Sequence, residues 1–243
     1  MSDVRPLLPL VAAVLLAPAV PEAQTLDEIV AKHVAARGGR DALAALRTLR
    51  MSGRASAGPG REALVTREIA RPGRIRTEFA FQGTTGVYAW DGSEGFQVSP
   101  LDGDFEPRPL TAEAAAASAE QADVEGPLVD WKAKGHALEL VGSAALAGGR
   151  AHELRLTLRS GAVRRVFVDA TTGLVARIES TRDLPGRAVT LEADFGDYRE
   201  TGGVRFAHRI EIGVRGRPRR LLVVVDQVEV NPPLDDSRFR VPR

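Results

Sequence analysis

The sequence predicts a mainly β protein with helices (α+β), in which one antiparallel sheet curves into an unclosed barrel under a helical lid. Short stretches of alternating apolar and polar residues, typical of half-buried strands, number about ten or eleven. Turn residues such as Gly58-Pro59-Gly60 separate these stretches. A sheet with so many strands curls rather than staying flat, and two helical interruptions are available to cover its concave side.

Composition favours one domain and excludes several functions. The chain has 243 residues, 44% of them hydrophobic, and no linker or fixed repeat divides it, so we expect a single domain over 24–243. A formal charge of +1 gives no electrostatic basis for a nucleic-acid partner. Cysteine is absent, which excludes disulfides, thiolate metal sites and cysteine nucleophiles. We expect a monomer with no cofactor and no bound metal.

Residues 1–23 are predicted to be a cleaved secretory signal peptide. Arg5 precedes an apolar run over 7–17 that is too short to cross a bilayer as a helix. Ala23 is the favoured cleavage site because it lies just before a predicted helix start, and Ala17 and Ala19 are alternatives. An uncleaved anchor is the other interpretation. Export without cysteine is typical of the bacterial periplasm.

The mature chain is predicted to begin with a helix. Thr25 and Glu28 have the spacing of a capping box, in which each side chain satisfies a backbone N–H at the helix start. Gly38-Gly39 supplies a left-handed end before a second turn of helix over 42–46. The apolar stripe of the first helix, which must pack on another element, comprises Ile29, Val30, His33 and Val34.

Two groups of strands are predicted after these helices. The first is a meander at 49–57, 62–71, 73–82, 84–90 and 94–99. Alternation resumes after Gly135 and continues to a last strand over 221–230, with a turn at Pro185-Gly186 among those that separate the later strands.

Between the two groups, the sequence predicts two helices that form the lid. Thr111 caps an alanine-rich helix, and a second helix is expected over about 123–134. Asp130 and Lys134 are expected to pair on one face of the second helix. The other face carries Val124, Leu128 and Trp131 at i, i+4 and i+7.

No catalytic motif is found. The four histidines are far apart and lack the spacing of a metal-binding helix, and Ser93 lies in a predicted hairpin turn rather than in a nucleophile motif. The alternating carboxylates Asp102, Asp104 and Glu106 suggest a solvated loop more than a calcium site. Asp235-Asp236 is expected to cap a short turn.

The candidate binding residues are those expected on the concave face and the lid. His208 shares strand parity with apolar neighbours, so it should point inward and bond to a carbonyl or hydroxyl group; contact with a ligand is the alternative. The aromatic residues of the first strand group form either core or cavity wall. The candidates are Phe79, Phe81, Tyr88, Trp90, Val124, Leu128, Trp131, Phe206, His208 and Ile210.

Several segments resemble the LolA-like outer-membrane lipoprotein-sorting proteins. They include Tyr88-Ala89-Trp90-Asp91-Gly92, Glu125-Gly126-Pro127-Leu128-Val129-Asp130-Trp131, Gly196-Asp197-Tyr198 and Pro233-Leu234-Asp235-Asp236. The resemblance implies an unclosed barrel whose concave face binds lipoprotein acyl chains or another lipid, with transient inner- and outer-membrane protein partners. It also implies a lid latched by an early-strand arginine, for which Arg54, Arg67, Arg74 and Arg76 are all candidates.

The leading functional hypothesis is a non-enzymatic periplasmic carrier of lipid or lipoprotein acyl chains. The alternative is an envelope sensor or protein-interaction module of the same fold that signals to a membrane partner. An enzyme would need a polar cluster converging in the concave face, for which His208 is the one candidate.

We predict that the exported protein begins at Gln24, because Ala23 lies between the short apolar run and the capped helix. Intact-mass or N-terminal analysis of periplasmic material checks this start. Recovery of residues 1–23 on protein in the membrane fraction would contradict it.

Overall fold

Thirteen strands form one antiparallel sheet in the computed structural model, which describes residues 24–146, 148–184 and 187–242. The predicted signal peptide and the turn at 185–186 therefore lie outside the described residues. The strands are β1 Thr48–Ser56, β2 Glu62–Ala70, β3 Arg74–Phe81, β4 Thr84–Trp90, β5 Gly95–Ser99, β6 Asp104–Pro109, β7 Ala137–Leu146, β8 Gly149–Thr157, β9 Val163–Asp169, β10 Val175–Leu184, β11 Arg187–Thr201, β12 Val204–Val214 and β13 Arg220–Val230.

The sheet is not closed into a barrel. Its order is β6-β5-β4-β3-β2-β1-β13-β12-β11-β10-β9-β8-β7, so pairing of the first strand with the last joins two meanders, and β6 and β7 remain as edges. Ile75 on β3 and Leu138 on the edge strand β7 belong to one core cluster, which requires the sheet to curve. The predicted fold class is thus confirmed.

Within the described residues, three α-helices accompany the sheet: α1 Leu26–Arg37, α2 Arg40–Ala45 and α3 Ala112–Gln121. The capping box at Thr25 and Glu28 is present as predicted. At the end of α1, Gly38 has φ 128°, and a Cβ there would lie 2.0 Å from the carbonyl oxygen of Gly203, so only glycine permits this approach to the β11–β12 turn. No helix in the described ranges has the length and apolar character needed to cross a membrane.

The main core fills one end of the concave face, which we define as the face that α1 covers. The predicted stripe of α1 is buried there against residues of β8, β9 and β12. Leu154, Leu156 and Val204 are fully buried in the same cluster. Burying such side chains is worth about 1.5–3 kcal/mol each, so the packing at this end of the sheet stabilises the fold.

Charged residues are concentrated on the opposite, outer face. Glu179 and Glu192 are only 4% and 7% exposed, yet each pairs with Arg215, and Glu179 also pairs with Arg165 of β9. Burial alone would raise the pKa of Glu192, but hydrogen bonds from Arg215 and Arg220 and the Arg177 charge bring it below its ordinary value. Cross-strand ion pairing therefore keeps these charges away from the concave face.

The prediction of a second lid helix over 123–134 is wrong. The segment is a series of turns, with Gly126 at φ 87° and Asp130 at φ 50°, and these left-handed residues interrupt any helix. Lys134 pairs with Asp123 and Glu125 instead of Asp130, which pairs with Arg40. The three apolar residues do face the main core as expected, since Val124 and Leu128 are buried in it and Trp131 packs against it. Turns, rather than a helix, bring them to that side.

The predicted strand count was also too low. One missed strand is β6, where a solvated loop was expected around Asp104 and Glu106. It is an edge strand that pairs irregularly with β5. Edge strands often contain charged residues and proline, so β6 lacks the apolar–polar alternation by which the other strands were predicted. The expected turns at Asp91 and Asp235 are confirmed, because each carboxylate accepts a backbone N–H from the residue two positions on.

We predict that stability falls in acid through His33. Burial, with the Arg37 charge nearby, lowers the pKa of His33 to about 4, and the ring Nδ1 lies 3.0 Å from the carbonyl oxygen of Gly173. The unfolded chain binds a proton near pH 6.5 and the folded chain does not, so the free energy of unfolding should fall by about 3 kcal/mol between pH 6.5 and 4.

Urea unfolding of the wild type and His33→Asn at several pH values measures this loss. The asparagine amide can donate to the same carbonyl but does not titrate, so its stability should change less over this interval. Parallel pH profiles for the two proteins would contradict the assignment.

Candidate functional site

The remainder of the concave face contains two cavities, which we call the inner and outer cavities. The inner cavity, of about 390 Å³, lies between α3 and strands β2–β4. The outer cavity, of about 590 Å³, lies between the far ends of these strands and the short 3-10 helix Pro100–Asp102. A third space, of about 230 Å³, lies within the closed end beside α1. Open space on the concave face is therefore concentrated away from the main core.

The alanine-rich sequence of α3 leaves the inner cavity open. Ala114, Ala117 and Ser118 face the cavity, whereas Ala116 and Ala119 are exposed on the other side of the helix. Thr111 caps the helix through a hydrogen bond from the Ala114 N–H, as predicted. No residue of α3 is fully buried, so small side chains cover the strands without filling the space beneath the helix.

Two ion pairs attach α3 to the opposite side of the sheet. The helix itself packs on β3 and β4. The Nη2 of Arg164 on β9 lies 2.6 Å from the Glu120 carboxylate, and Arg182 on β10 pairs with Glu113. The Arg164 side chain is 17% exposed against 38% for Arg182, so the first pair is the better shielded. The helix thus bridges the concave face from one meander to the other.

The outer cavity is lined mainly by apolar groups. Phe79, Phe81 and Tyr88 form part of its wall, and Leu101 and Leu221 contribute from neighbouring elements. The rings of Phe79 and Tyr88 are 6.4 Å apart in an edge-to-face arrangement at 84°. Because both rings also line the inner cavity, they mark where the two cavities adjoin.

The ten sequence-predicted site residues separate into two groups. Phe79, Phe81 and Tyr88 line the open cavities. The other seven lie at or toward the main core: Val124, Leu128, Phe206 and Ile210 line the smaller space beside α1, Trp90 and Trp131 pack against the core, and His208 is buried. The structure does not bring the ten together as one wall.

His208 has the environment expected of an interior histidine. It is 5% exposed, and its Nδ1 lies 2.7 Å from the carbonyl oxygen of Val225, to which a protonated Nδ1 donates. Ser93, the other residue considered for chemistry, donates its hydroxyl to Asp91 in the hairpin turn. Within the described ranges, no group of three or more His, Asp or Glu residues is placed to hold a metal ion.

Sequence reasoning did not single out Arg67 among the four early-strand arginines. Arg54, Arg74 and Arg76 are paired with Asp226, Asp236 and Glu78 respectively. Arg67 has no ion pair or hydrogen bond with any described residue, and burial alone lowers the pKa of its guanidinium. The sequence did contain a signal for this residue: Arg67 alternates with Val65 and Ile69 along β2, which places its side chain on the concave face.

We predict that Arg164→Gln loosens α3 by removing its shielded ion pair. Amide hydrogen exchange over 112–121 should become faster in this variant and change less in Arg182→Gln, whose pair is more exposed. Arg199→Gln, which removes a solvent-exposed ion pair within β11, is the matched control and should leave α3 unchanged. Equal protection of α3 in all four proteins would show that the ion pairs do not hold the helix.

Comparison with known proteins identifies the fold. No family model and no curated protein matches the chain. Solved structures do match: a DUF1329 family protein from Desulfovibrio piger has a TM-score of 0.62 at 12% identity, covering 90% of this chain and 98% of that chain. A domain named for outer-membrane lipoprotein sorting, from Vibrio parahaemolyticus, has a TM-score of 0.58 at 12% identity, covering 87% and 94%.

A LolA superfamily protein from Nitrosomonas europaea is also similar, with a TM-score of 0.55 at 13% identity over 90% of this chain and 98% of that chain. At such identities the likeness concerns the fold. The unclosed 13-stranded sheet, with helices on its concave face, is a LolA-like fold.

Proposed function

We propose that this protein is a non-enzymatic periplasmic carrier that binds acyl chains of lipids or lipoproteins in its outer cavity. The observation that carries the proposal is the apolar outer cavity, about 590 Å³ in volume, that continues beside Phe79 and Tyr88 into the space beneath α3. Volumes of about 300–1,000 Å³ with mainly apolar walls are typical of small-molecule sites.

The energetics of acyl transfer favour such a site. Each methylene moved from water into an apolar environment gains about 0.8 kcal/mol, so a carrier must supply extended apolar surface rather than many polar contacts. The ion-paired outer face cannot do this, whereas the strands beneath α3 and the short 3-10 helix can. The predicted signal peptide supports a periplasmic location, and the likeness to a domain named for lipoprotein sorting supports that class of cargo.

We predict that Ala63→Phe reduces acyl-chain binding at least tenfold, because Ala63 lines the outer cavity and a phenyl ring would occupy its volume. Leu64→Phe is the matched control, since the neighbouring side chain is 63% exposed on the other face of β2. Displacement of a fluorescent fatty-acid probe gives both affinities, and thermal unfolding verifies that both variants fold.

Equal affinity of the two variants would exclude the outer cavity as the binding site. Mass spectrometry of organic extracts from gently purified native protein should recover bound lipid. An extract free of lipid, together with no binding of any acyl probe, would contradict the proposed function.

A further inference from the structure

A polar row crosses the strands that form one wall of the inner cavity. Strand register places Arg67, Thr77, Tyr88 and Gln97 side by side on β2–β5. The concave-face rows on either side are apolar or small: Ile69, Ile75 and Trp90 on one side, and Val65, Phe79 and Gly86 on the other. Arg67, Thr77 and Tyr88 line the inner cavity, so this row gives the cavity one cation and two hydroxyl groups.

Arg67 is the uncompensated charge in this row. Protein surrounds the side chain, which is why its pKa falls, yet part of its surface stays accessible because it opens on the cavity. The cavity also contains Glu113 and Arg182, but these two residues pair with each other. Thr77, Ser118 and Gln121, which also line the cavity, are neutral.

A half-buried guanidinium without an anionic partner is energetically unfavourable, and a ligand carrying the opposite charge reduces that cost. Arginine presents several N–H donors in a planar arrangement that matches the oxygens of a carboxylate or phosphate. The hydroxyl groups of Thr77 and Tyr88 are further donors on the same row. The chemistry of the inner cavity therefore fits an anionic headgroup, whereas that of the outer cavity fits a hydrocarbon tail.

We propose that Arg67 binds the carboxylate or phosphate headgroup of a single-chain anionic amphiphile whose tail passes Phe79 and Tyr88 into the outer cavity. This inference rests on the proposed function and makes it more specific, because it requires an anionic headgroup on the lipid. Phe79 and Tyr88 provide the continuity, since they line both cavities.

The test compares three ligands of equal chain length: palmitate, hexadecyl phosphate and the neutral alcohol hexadecanol. Each is titrated into the wild type, Arg67→Gln and Arg67→Lys, using displacement of an uncharged fluorescent acyl probe. Wild type should bind palmitate or hexadecyl phosphate about tenfold to a hundredfold more tightly than hexadecanol. The preferred anion distinguishes a carboxylate site from a phosphate site.

Arg67→Gln should lose most of this preference, because its affinity for the two anions falls much more than its affinity for hexadecanol, and Arg67→Lys should retain part of it. Equal binding of all three ligands by the wild type would overturn the headgroup assignment and leave the carrier proposal standing. Failure of every ligand to bind would overturn both. If Arg67→Gln does not fold, the wild-type comparison and Arg67→Lys still decide the question.

Discussion

The structure depends on one constraint: a strongly curved sheet has a concave apolar face that the chain must cover, and the chain covers it unevenly. At the closed end, α1 and the turns over 122–131 bury large side chains such as Leu128 and Ile29 almost completely. Elsewhere the cover is α3, whose alanines reach the strands without filling the space. The same sheet thus has its main core at one end and its two larger cavities at the other.

The distribution of charge follows from that constraint. On the outer face, buried Glu179 of β10 and Glu192 of β11 are each paired with arginines. On the same face, Arg76 pairs with Glu78, and Glu68 pairs with Arg50. Arg67 on the concave face departs from this pattern, because no described carboxylate pairs with it, and the proposed anionic headgroup would supply that partner.

Local signals in the sequence predicted much of the fold. The Thr25 capping box and the meander over 49–99 were correctly predicted because residues close in the chain determine them. The helix over 123–134 was wrong because the apolar spacing of Val124 and Leu128 is compatible with turns, and left-handed Gly126 and Asp130 decide between the two. The separation of the ten candidates into two groups, and the lack of an ion-pair partner for Arg67, could not be predicted. Both depend on which strands face each other across the curved sheet, and no single segment of the sequence determines this.

The central claim, that acyl chains occupy the outer cavity, is tested most directly by NMR with nitroxide-labelled stearic acid on alanine- and leucine-methyl-labelled protein. With the nitroxide near the methyl end of the fatty acid, the account predicts selective broadening of the Leu101 and Leu221 methyl resonances, which line the outer cavity. The Leu154 and Leu156 resonances of the closed core should remain sharp. Broadening of the core resonances, with Leu101 and Leu221 unaffected, would contradict the account.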